Sequence, residues 1–294
     1  MMAIAVKVTT GGLLLLTALT YFADASTVQG HDENWGYTGV NGPDSWPEIC
    51  QSGHRQSPIN INLALIDAVN ISRLNFGNYD RHGTITLTNN GHTAAGTGFE
   101  NWSHRPYISG GGLNGRYDLV SFHFHWAAND HLGSEHTVGS LSYPMELHLV
   151  HIKEGLTQNE SLAMSDGMAV IAVFFYKGLD GRPLGQVEQA FRKTLYYGSQ
   201  EEVSDFQLMS LLPEDTGAFY RYEGSLTTPS CSESVIWTLM AEPVCISELQ
   251  LQQLRKHIST MGNLLARSHR NPQPLHGRRI LFRPHDFEQH CDPE

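Results

Sequence analysis

Short runs of apolar residues, or of alternating apolar and polar residues, dominate the chain and are separated by clusters of Gly, Asn, Asp and Pro. Runs of this length and pattern predict β-strands. The predicted strands are residues 84–88, 119–126, 146–152, 168–176 and 234–240. We therefore expect a mainly β (α+β) protein.

Helical patterns are few. In residues 247–261, Leu249, Leu254 and Ile258 recur near helical spacing, and Ser247 is suited to cap the first turn. A second helix is predicted around residues 185–193. A few peripheral helices beside one large sheet are the expected architecture, although periodicity alone does not give the strand order.

The first 25 residues are typical of an export signal. Lys7 supplies an early positive charge, an apolar run follows within residues 11–21, and Ala23-Asp24-Ala25 resembles a cleavage site. We expect a signal peptide at 1–25 and one domain at 26–294. A single-pass membrane anchor is the alternative, but the run is shorter than the roughly 20 apolar residues needed to span a bilayer. The polar segment 285–294 indicates no C-terminal anchor either.

Charge and composition limit which binding partners and which cellular compartment are expected. The formal charge of -11 argues against nucleic acid, because binding a phosphate backbone needs clustered Lys and Arg. Four cysteines in an exported chain make disulfides plausible, and we expect a secreted, extracellular protein. Three sequons offer candidate glycosylation sites at Asn70, Asn101 and Asn159. The sequence does not indicate an oligomeric state.

Two predicted strands carry histidines in a pattern that favours metal binding. The strand period of two places Ser121, His123 and His125 on one face of the first strand. The same parity places Glu146, His148 and Val150 together on the second strand, with His151 on its opposite face. If the two strands are neighbours, His123, His125 and His148 can meet.

Three neutral histidines suit Zn²⁺, whose catalytic sites keep three protein ligands and leave a fourth position to water. The alternative is chance, because the chain has 16 histidines. From its place on the opposite face, His151 is interpreted as a buried, hydrogen-bonded structural histidine.

Further motifs accompany the two histidine strands in a fixed order. They are Trp35-Gly36-Tyr37, Asn41-Gly42-Pro43, Gln56-Ser57-Pro58-Ile59-Asn60-Ile61, Asn90-Gly91-His92, Ser134-Glu135-His136-Thr137-Val138, Gly224-Ser225-Leu226-Thr227-Thr228-Pro229 and Gln273-Pro274-Leu275. In this order and at these separations, the chain resembles the secreted animal-type α-carbonic anhydrases, from about Trp35 to Phe282. The resemblance implies one large, twisted, mostly antiparallel sheet and the zinc-dependent, reversible hydration of carbon dioxide to bicarbonate and a proton.

The resemblance also implies roles for individual residues. His123, His125 and His148 match the zinc ligands, and Glu146 matches the carboxylate that orients His148. Thr227 matches a threonine whose hydroxyl donates a hydrogen bond to Glu135 and accepts one from zinc-bound hydroxide, which is the nucleophile. The remaining matches are Val150, Val170, Leu226 and Trp237 as the apolar wall for carbon dioxide, Thr228 beside bicarbonate, and His92 as the proton shuttle.

The resemblance further implies a disulfide between Cys50 and Cys231, but it assigns no partner to Cys245 or Cys291. Ser121 stands where many members have a Gln that orients the first ligand, so the shorter side chain would need a water to reach His123. Residues 268–271 also depart from the family pattern. The family's contact to the second ligand is made there by a backbone carbonyl, which any side chain preserves, so we expect activity to survive this departure.

Two other functions remain as alternatives at this stage. A non-catalytic binding module of the same fold typically loses one or more zinc histidines, and none is missing here. A metalloprotease is disfavoured because neither H-E-x-x-H nor H-x-x-E-H occurs.

Overall fold

A computed structural model of the chain describes residues 35–285. The expected signal peptide at 1–25 and Cys291 lie outside these residues. Within them, no helix combines the length and the apolar character needed to cross a membrane.

The described residues contain fifteen strands and four α-helices, with short 3-10 turns between them. The helices are α1 Glu48–Ser52, α2 Gln158–Ala163, α3 Glu188–Lys193 and α4 Glu248–Leu254. The strands are β1 Asn60–Ile61, β2 Ile66–Ala68, β3 Leu74–Gly77, β4 His82–Asn89, β5 Ala94–Thr97, β6 Tyr107–Gly110, β7 Tyr117–Trp126, β8 Thr137–Val138, β9 Met145–Lys153, β10 Met168–Gly178, β11 Gln200–Gln207, β12 Phe219–Gly224, β13 Val235–Met240, β14 Val244–Ser247 and β15 Ile280–Arg283.

Thirteen of the strands form one large sheet, in the order β11-β4-β5-β7-β9-β10-β13-β12-β15-β2. Strand β14 also pairs with β10, and β3 joins through β6, which pairs with β7. Most pairs are antiparallel, and β10 with β13, β10 with β14 and β15 with β2 are parallel. This architecture confirms the predicted single domain with a large, mostly antiparallel sheet and few helices.

The five predicted strands are all present, and none of their ends differs from the prediction by more than two residues. The helix predicted at 247–261 is shorter than expected. Ser247 caps α4 as predicted, and its side chain accepts a hydrogen bond from the Gln250 amide, but the helix ends at Leu254. Beyond it, Ile258 pairs with Leu264 in an isolated bridge, and its amide donates to Leu195. The helix predicted at 185–193 begins only at Glu188.

Both faces of the central strands are buried, but in different apolar clusters. On β7 the side chains of Phe122, Phe124 and Trp126 pack in the larger cluster. A smaller cluster on the other side contains Val150 of β9 and Val170 of β10. The histidines at 123, 125 and 148 share the face of this smaller cluster, because strand parity places them opposite the aromatic residues.

Candidate metal centre

The register between β7 and β9 brings the three predicted histidines together. His123 pairs with His148, and His125 pairs with Glu146. Directly paired residues of antiparallel strands point to the same face. The ring centroid of His148 lies 5.2 Å from that of His123 and 4.5 Å from that of His125. One ring nitrogen of each histidine lies within 4.8 Å of the other two, so the three can contact a single ion.

Hydrogen bonds fix which ring nitrogens face the centre. His125 Nδ1 donates to the Ser268 carbonyl oxygen at 2.5 Å, because a carbonyl can only accept. His148 Nε2 lies 2.6 Å from Glu146 Oε1. The other two nitrogens, His125 Nε2 and His148 Nδ1, are therefore left with lone pairs, and they face each other at 3.0 Å.

This arrangement fits a metal ion. Two lone pairs that face each other repel unless a cation lies between them. The separation of 3.0 Å is close to the roughly 3.3 Å of two nitrogens bound tetrahedrally at about 2.05 Å from Zn²⁺. His123 would complete a set of three neutral nitrogen donors, the set that zinc accepts with one position left over.

Electrostatics favours the protonation states that metal binding requires. Burial lowers the pKa of His123, His125 and His148, so each ring is neutral and can ligate. Burial alone would raise the pKa of Glu146, but its interactions with His136 and His148, including a hydrogen bond from each ring, hold that pKa well below its ordinary value. Glu146 is therefore an ionised acceptor for His148.

Behind Glu146 lies a polar network that the sequence did not reveal. The backbone amides of Glu135 and His136 donate to Glu146 Oε2 at 2.9 and 2.8 Å, and His136 Nδ1 lies 2.6 Å from Oε1. His136 Nε2 contacts the Tyr222 hydroxyl at 2.6 Å, which is 2.8 Å from the Ser57 hydroxyl. The sequence pointed to this network only through His136 and Ser57, which lie within the motifs at 134–138 and 56–61.

Glu135 and Thr227, which the resemblance couples, are neighbours. Both are buried, and the Arg270 amide donates to Glu135 Oε1 at 2.7 Å. Burial and the charge of Glu146 raise the pKa of Glu135, and this outweighs the opposite effect of hydrogen bonds from the Arg270 amide and the Thr227 hydroxyl. Glu135 Oε2 lies 3.5 Å from His125 Nε2. The carboxyl group therefore lies between Thr227 and the histidine cluster.

The four residues expected to form an apolar wall belong to one buried cluster: Val150, Val170, Leu226 and Trp237. The Trp237 ring packs edge-on against His148 at 4.7 Å between centroids. Thr228 is buried next to Thr227 on the same loop. The apolar cluster thus borders the metal centre directly.

His92 is stacked on Trp35, with 3.8 Å between centroids and 8° between the ring planes. Both residues border a cavity of about 310 Å³ that is also lined by Tyr37, Gly91 and Thr260. Burial lowers the pKa of His92 to about 4. In this position the imidazole is a weak base at neutral pH.

The structure joins Cys50 to Cys231 in a disulfide. Cys245 is a buried free thiol. Ser121 is buried on the face of His123, and within residues 35–285 its hydroxyl makes no direct hydrogen bond to that ring. The three candidate glycosylation residues, Asn70, Asn101 and Asn159, are all exposed.

Comparisons with known proteins agree on one family. A model described as eukaryotic-type carbonic anhydrase matches residues 41–284. The chain is 46% identical over 280 residues to "Putative carbonic anhydrase 5" of Caenorhabditis elegans, which covers 94% of this chain and 90% of the relative. It is 37% identical over 258 residues to human "Carbonic anhydrase 7", covering 85% of this chain and 96% of the relative.

Proposed function

The chain belongs to the eukaryotic-type carbonic anhydrase family and catalyses the reversible hydration of carbon dioxide, and we propose that His123, His125 and His148 hold its catalytic Zn²⁺. The observation that carries the ligand assignment is the pair of facing nitrogens on His125 and His148, 3.0 Å apart. When bound, Zn²⁺ supplies a Lewis acid that lowers the pKa of a coordinated water toward neutrality, an effect for which carbonic anhydrases are the standard example.

The residues around the ligands hold them in the binding orientation. Glu146 accepts from His148 Nε2 and thereby leaves Nδ1 free for the metal. The Ser268 carbonyl does the same for His125. Because these contacts preset two of the three rings, little conformational freedom remains to be lost when the metal binds. Ser121 would act on His123 through a water.

Thr227 and Glu135 would orient the attacking oxygen. A Thr227 hydroxyl that donates its proton to Glu135 can only accept a hydrogen bond from that oxygen, which directs the oxygen's lone pair at the substrate carbon. We take Glu135 to be ionised, because a carboxylate offers acceptor lone pairs on both oxygens. Its burial opposes this, but a divalent cation beside it favours the carboxylate. Glu135 is then an orienting group and not a base.

The apolar wall would bind the substrate. Carbon dioxide has no net charge or dipole, and Val150, Val170, Leu226 and Trp237 offer it a surface that binds water poorly. Bicarbonate is charged and polar, so it would leave this wall and be contacted by the hydroxyl of Thr228.

His92 would transfer the proton released in each cycle. An unperturbed histidine has a pKa of about 6.5, which suits both acceptance of a proton and its release to buffer. Stacked and buried against Trp35, His92 has a pKa of about 4 and is a poor acceptor. The shuttle therefore requires the ring to leave the stack for a hydrated position.

We also propose that the mature chain, 26–294, is secreted after removal of residues 1–25. The disulfide between Cys50 and Cys231 is of a kind that persists in oxidising compartments, and the sequon residues are exposed and so accessible to glycosylation. N-terminal sequencing of protein from the medium of expressing cells should begin at Ser26. Recovery inside cells only, with residues 1–25 retained, would contradict the proposal.

Carbon dioxide hydration should be assayed before and after zinc is removed with a chelator, and again after zinc is returned. Activity should follow zinc content at one ion per chain. Zinc-loaded, folded protein that hydrates carbon dioxide no faster than buffer would contradict the proposed function and favour a non-catalytic binding protein of the same fold.

A further inference from the structure

Arg270 joins segments of the chain that meet around the metal centre. Arg270 is 2% exposed, and its guanidinium donates to the Cys50 carbonyl at 2.5 Å, to Gln56 Oε1 at 2.9 Å and to the Ser57 carbonyl at 2.8 Å. A single planar group thus spans three acceptors on residues 50–57.

The backbone around Arg270 contacts the site itself. The Arg270 amide donates to Glu135 Oε1 at 2.7 Å, and the Ser268 carbonyl accepts from His125 Nδ1 at 2.5 Å. Residues 268–275 belong to no helix or strand. No strand ladder fixes this stretch. Its position is held by the Arg270 guanidinium together with two backbone hydrogen bonds, from the Ser268 amide to the Trp126 carbonyl and from the Gln273 amide to the Pro58 carbonyl.

The segment that Arg270 grips is tied in turn to the loop that carries Thr227. Cys50 is bonded to Cys231, and Gln56 Nε2 donates to the Cys231 carbonyl at 3.1 Å. The Ser57 amide donates to Ser225 Oγ at 2.9 Å. The contacts form a closed circuit from Glu135 through Arg270 and residues 50–57 to the Thr227 loop, and back to Glu135.

We propose that Arg270 is a positioning residue for carbon dioxide hydration, whose grip on residues 50–57 fixes Glu135 relative to Thr227. It touches neither substrate nor metal and acts through the Glu135–Thr227 pair. The inference rests on the proposed roles of those two residues, and it adds a residue and a segment to them.

The chemistry of the contacts supports this role. All three acceptors of the guanidinium are neutral, and within residues 35–285 no carboxylate forms a salt bridge with it. Burial lowers the pKa of Arg270 to about 10, a sign that the charge is costly to bury there. Such a group contributes geometry more than stability. Lysine would keep the charge but could not span three acceptors set at fixed angles.

Arg221 provides a matched control. It is 6% exposed, burial lowers its pKa to about 10 as well, and its Nε donates to Thr238 at 3.1 Å. It lies on β12 with its side chain on the opposite face from Tyr222, the residue that contacts His136. Replacing Arg221 thus reproduces the loss of a buried guanidinium without disturbing Glu135.

The test compares Arg270→Lys and Arg221→Lys with the wild type in zinc-loaded protein. Arg270→Lys should keep one zinc per chain and lose about 10-fold or more in kcat/KM, on the scale that misorientation of a reacting group costs. Arg221→Lys should stay within about 2-fold. Hydrogen exchange of the peptide that contains residues 268–275 should accelerate in Arg270→Lys alone.

A double-mutant cycle separates positioning from general destabilisation. In a Thr227→Ala background the orientation of Glu135 no longer matters, so Arg270→Lys should cost much less than it does alone. Equal costs in both backgrounds, or an unchanged kcat/KM in zinc-loaded Arg270→Lys, would overturn the inference.

If Arg270→Lys fails to fold, a second variant tests the same inference. Gln56→Ala removes one acceptor of Arg270 and the link to Cys231, and it should lower kcat/KM several-fold with zinc retained. A wild-type value in this variant would also overturn the inference. In every case an active wild type separates failure of this inference from failure of the proposed function.

Discussion

His125 Nε2 and His148 Nδ1 face each other at 3.0 Å on neighbouring strands, while their other ring nitrogens contact the Ser268 carbonyl and Glu146. The register of β7 and β9 produces this relationship, because a shift by one residue would turn the ring of His148 to the opposite face. The candidate metal centre is therefore formed by the pairing of two central strands.

Removal of the Thr227 hydroxyl should impair catalysis without loss of metal. Thr227→Ala should retain one zinc per chain and lose about 10²-fold or more in kcat/KM, because the attacking oxygen is no longer oriented. Thr227→Ser keeps a hydroxyl beside Glu135 and should retain most of the activity. An unchanged rate in the alanine variant would make Thr227 a turn residue only.

If His92 is the proton shuttle, its removal should change kcat and kcat/KM by different amounts. His92→Ala should leave kcat/KM for hydration nearly intact, since attack on carbon dioxide does not involve the relay. Its kcat should fall within the roughly 10²–10⁴-fold range of a positioned acid–base group, toward the low end. Added imidazole should restore part of the loss. A wild-type kcat at saturating carbon dioxide and low buffer concentration would assign the proton to another group.

The stacking of His92 on Trp35 should contribute to the low pKa of His92. Trp35→Ala removes the ring that holds His92 in a buried position of low pKa, so the pKa of His92 measured by NMR should rise toward its ordinary value of about 6.5. A pKa that stays near 4 in this variant would locate the cause of the low pKa elsewhere.

The disulfide between Cys50 and Cys231 joins two residues that are 181 positions apart in the sequence. Replacing both cysteines with serine should lower the free energy of unfolding by about 2–4 kcal/mol, because the unfolded chain regains conformational freedom. Cys245→Ser, which alters a buried free thiol, is the control. Equal stability of the double variant and the wild type, measured by denaturant unfolding, would contradict this expectation.

Acid should destabilise the zinc-free protein through His151. Burial lowers its pKa to about 3 in the folded state, against about 6.5 unfolded. Between these values the unfolded chain binds the extra proton, so stability is complete above pH 6.5 and is lost as the pH falls. The unfolding free energy should drop by about 3 kcal/mol more between pH 7 and pH 4 in the wild type than in His151→Gln. An equal fall of the unfolding free energy with pH in the two proteins would contradict this.

Strand parity predicted much of the metal centre. It placed His123, His125 and His148 on faces that the structure brings together. It also placed His151 on the opposite face as a structural histidine, and the structure confirms this with contacts to the Tyr79 hydroxyl at 2.6 Å and the Ala169 carbonyl at 3.1 Å. Parity succeeds because it depends only on the local geometry of one strand.

Contacts between distant segments could not be predicted in this way. The His136–Tyr222–Ser57 network and the stack of His92 on Trp35 depend on how loops pack against the sheet. Likewise, the helix that Ser247 caps ends at Leu254, and Ile258 pairs with Leu264 instead. Helical spacing contains no information about such a tertiary contact.

The assignment of His148 as a zinc ligand is tested most directly by the zinc content and carbon dioxide hydration rate of His148→Ala. His257→Gln is the control, because His257 is also a buried histidine but contacts the backbone carbonyls of Gln253 and Leu254. His148→Ala should lose both high-affinity zinc and activity, because two remaining ligands hold the ion poorly, whereas His257→Gln should keep both. One zinc per chain with normal turnover in His148→Ala would contradict the account.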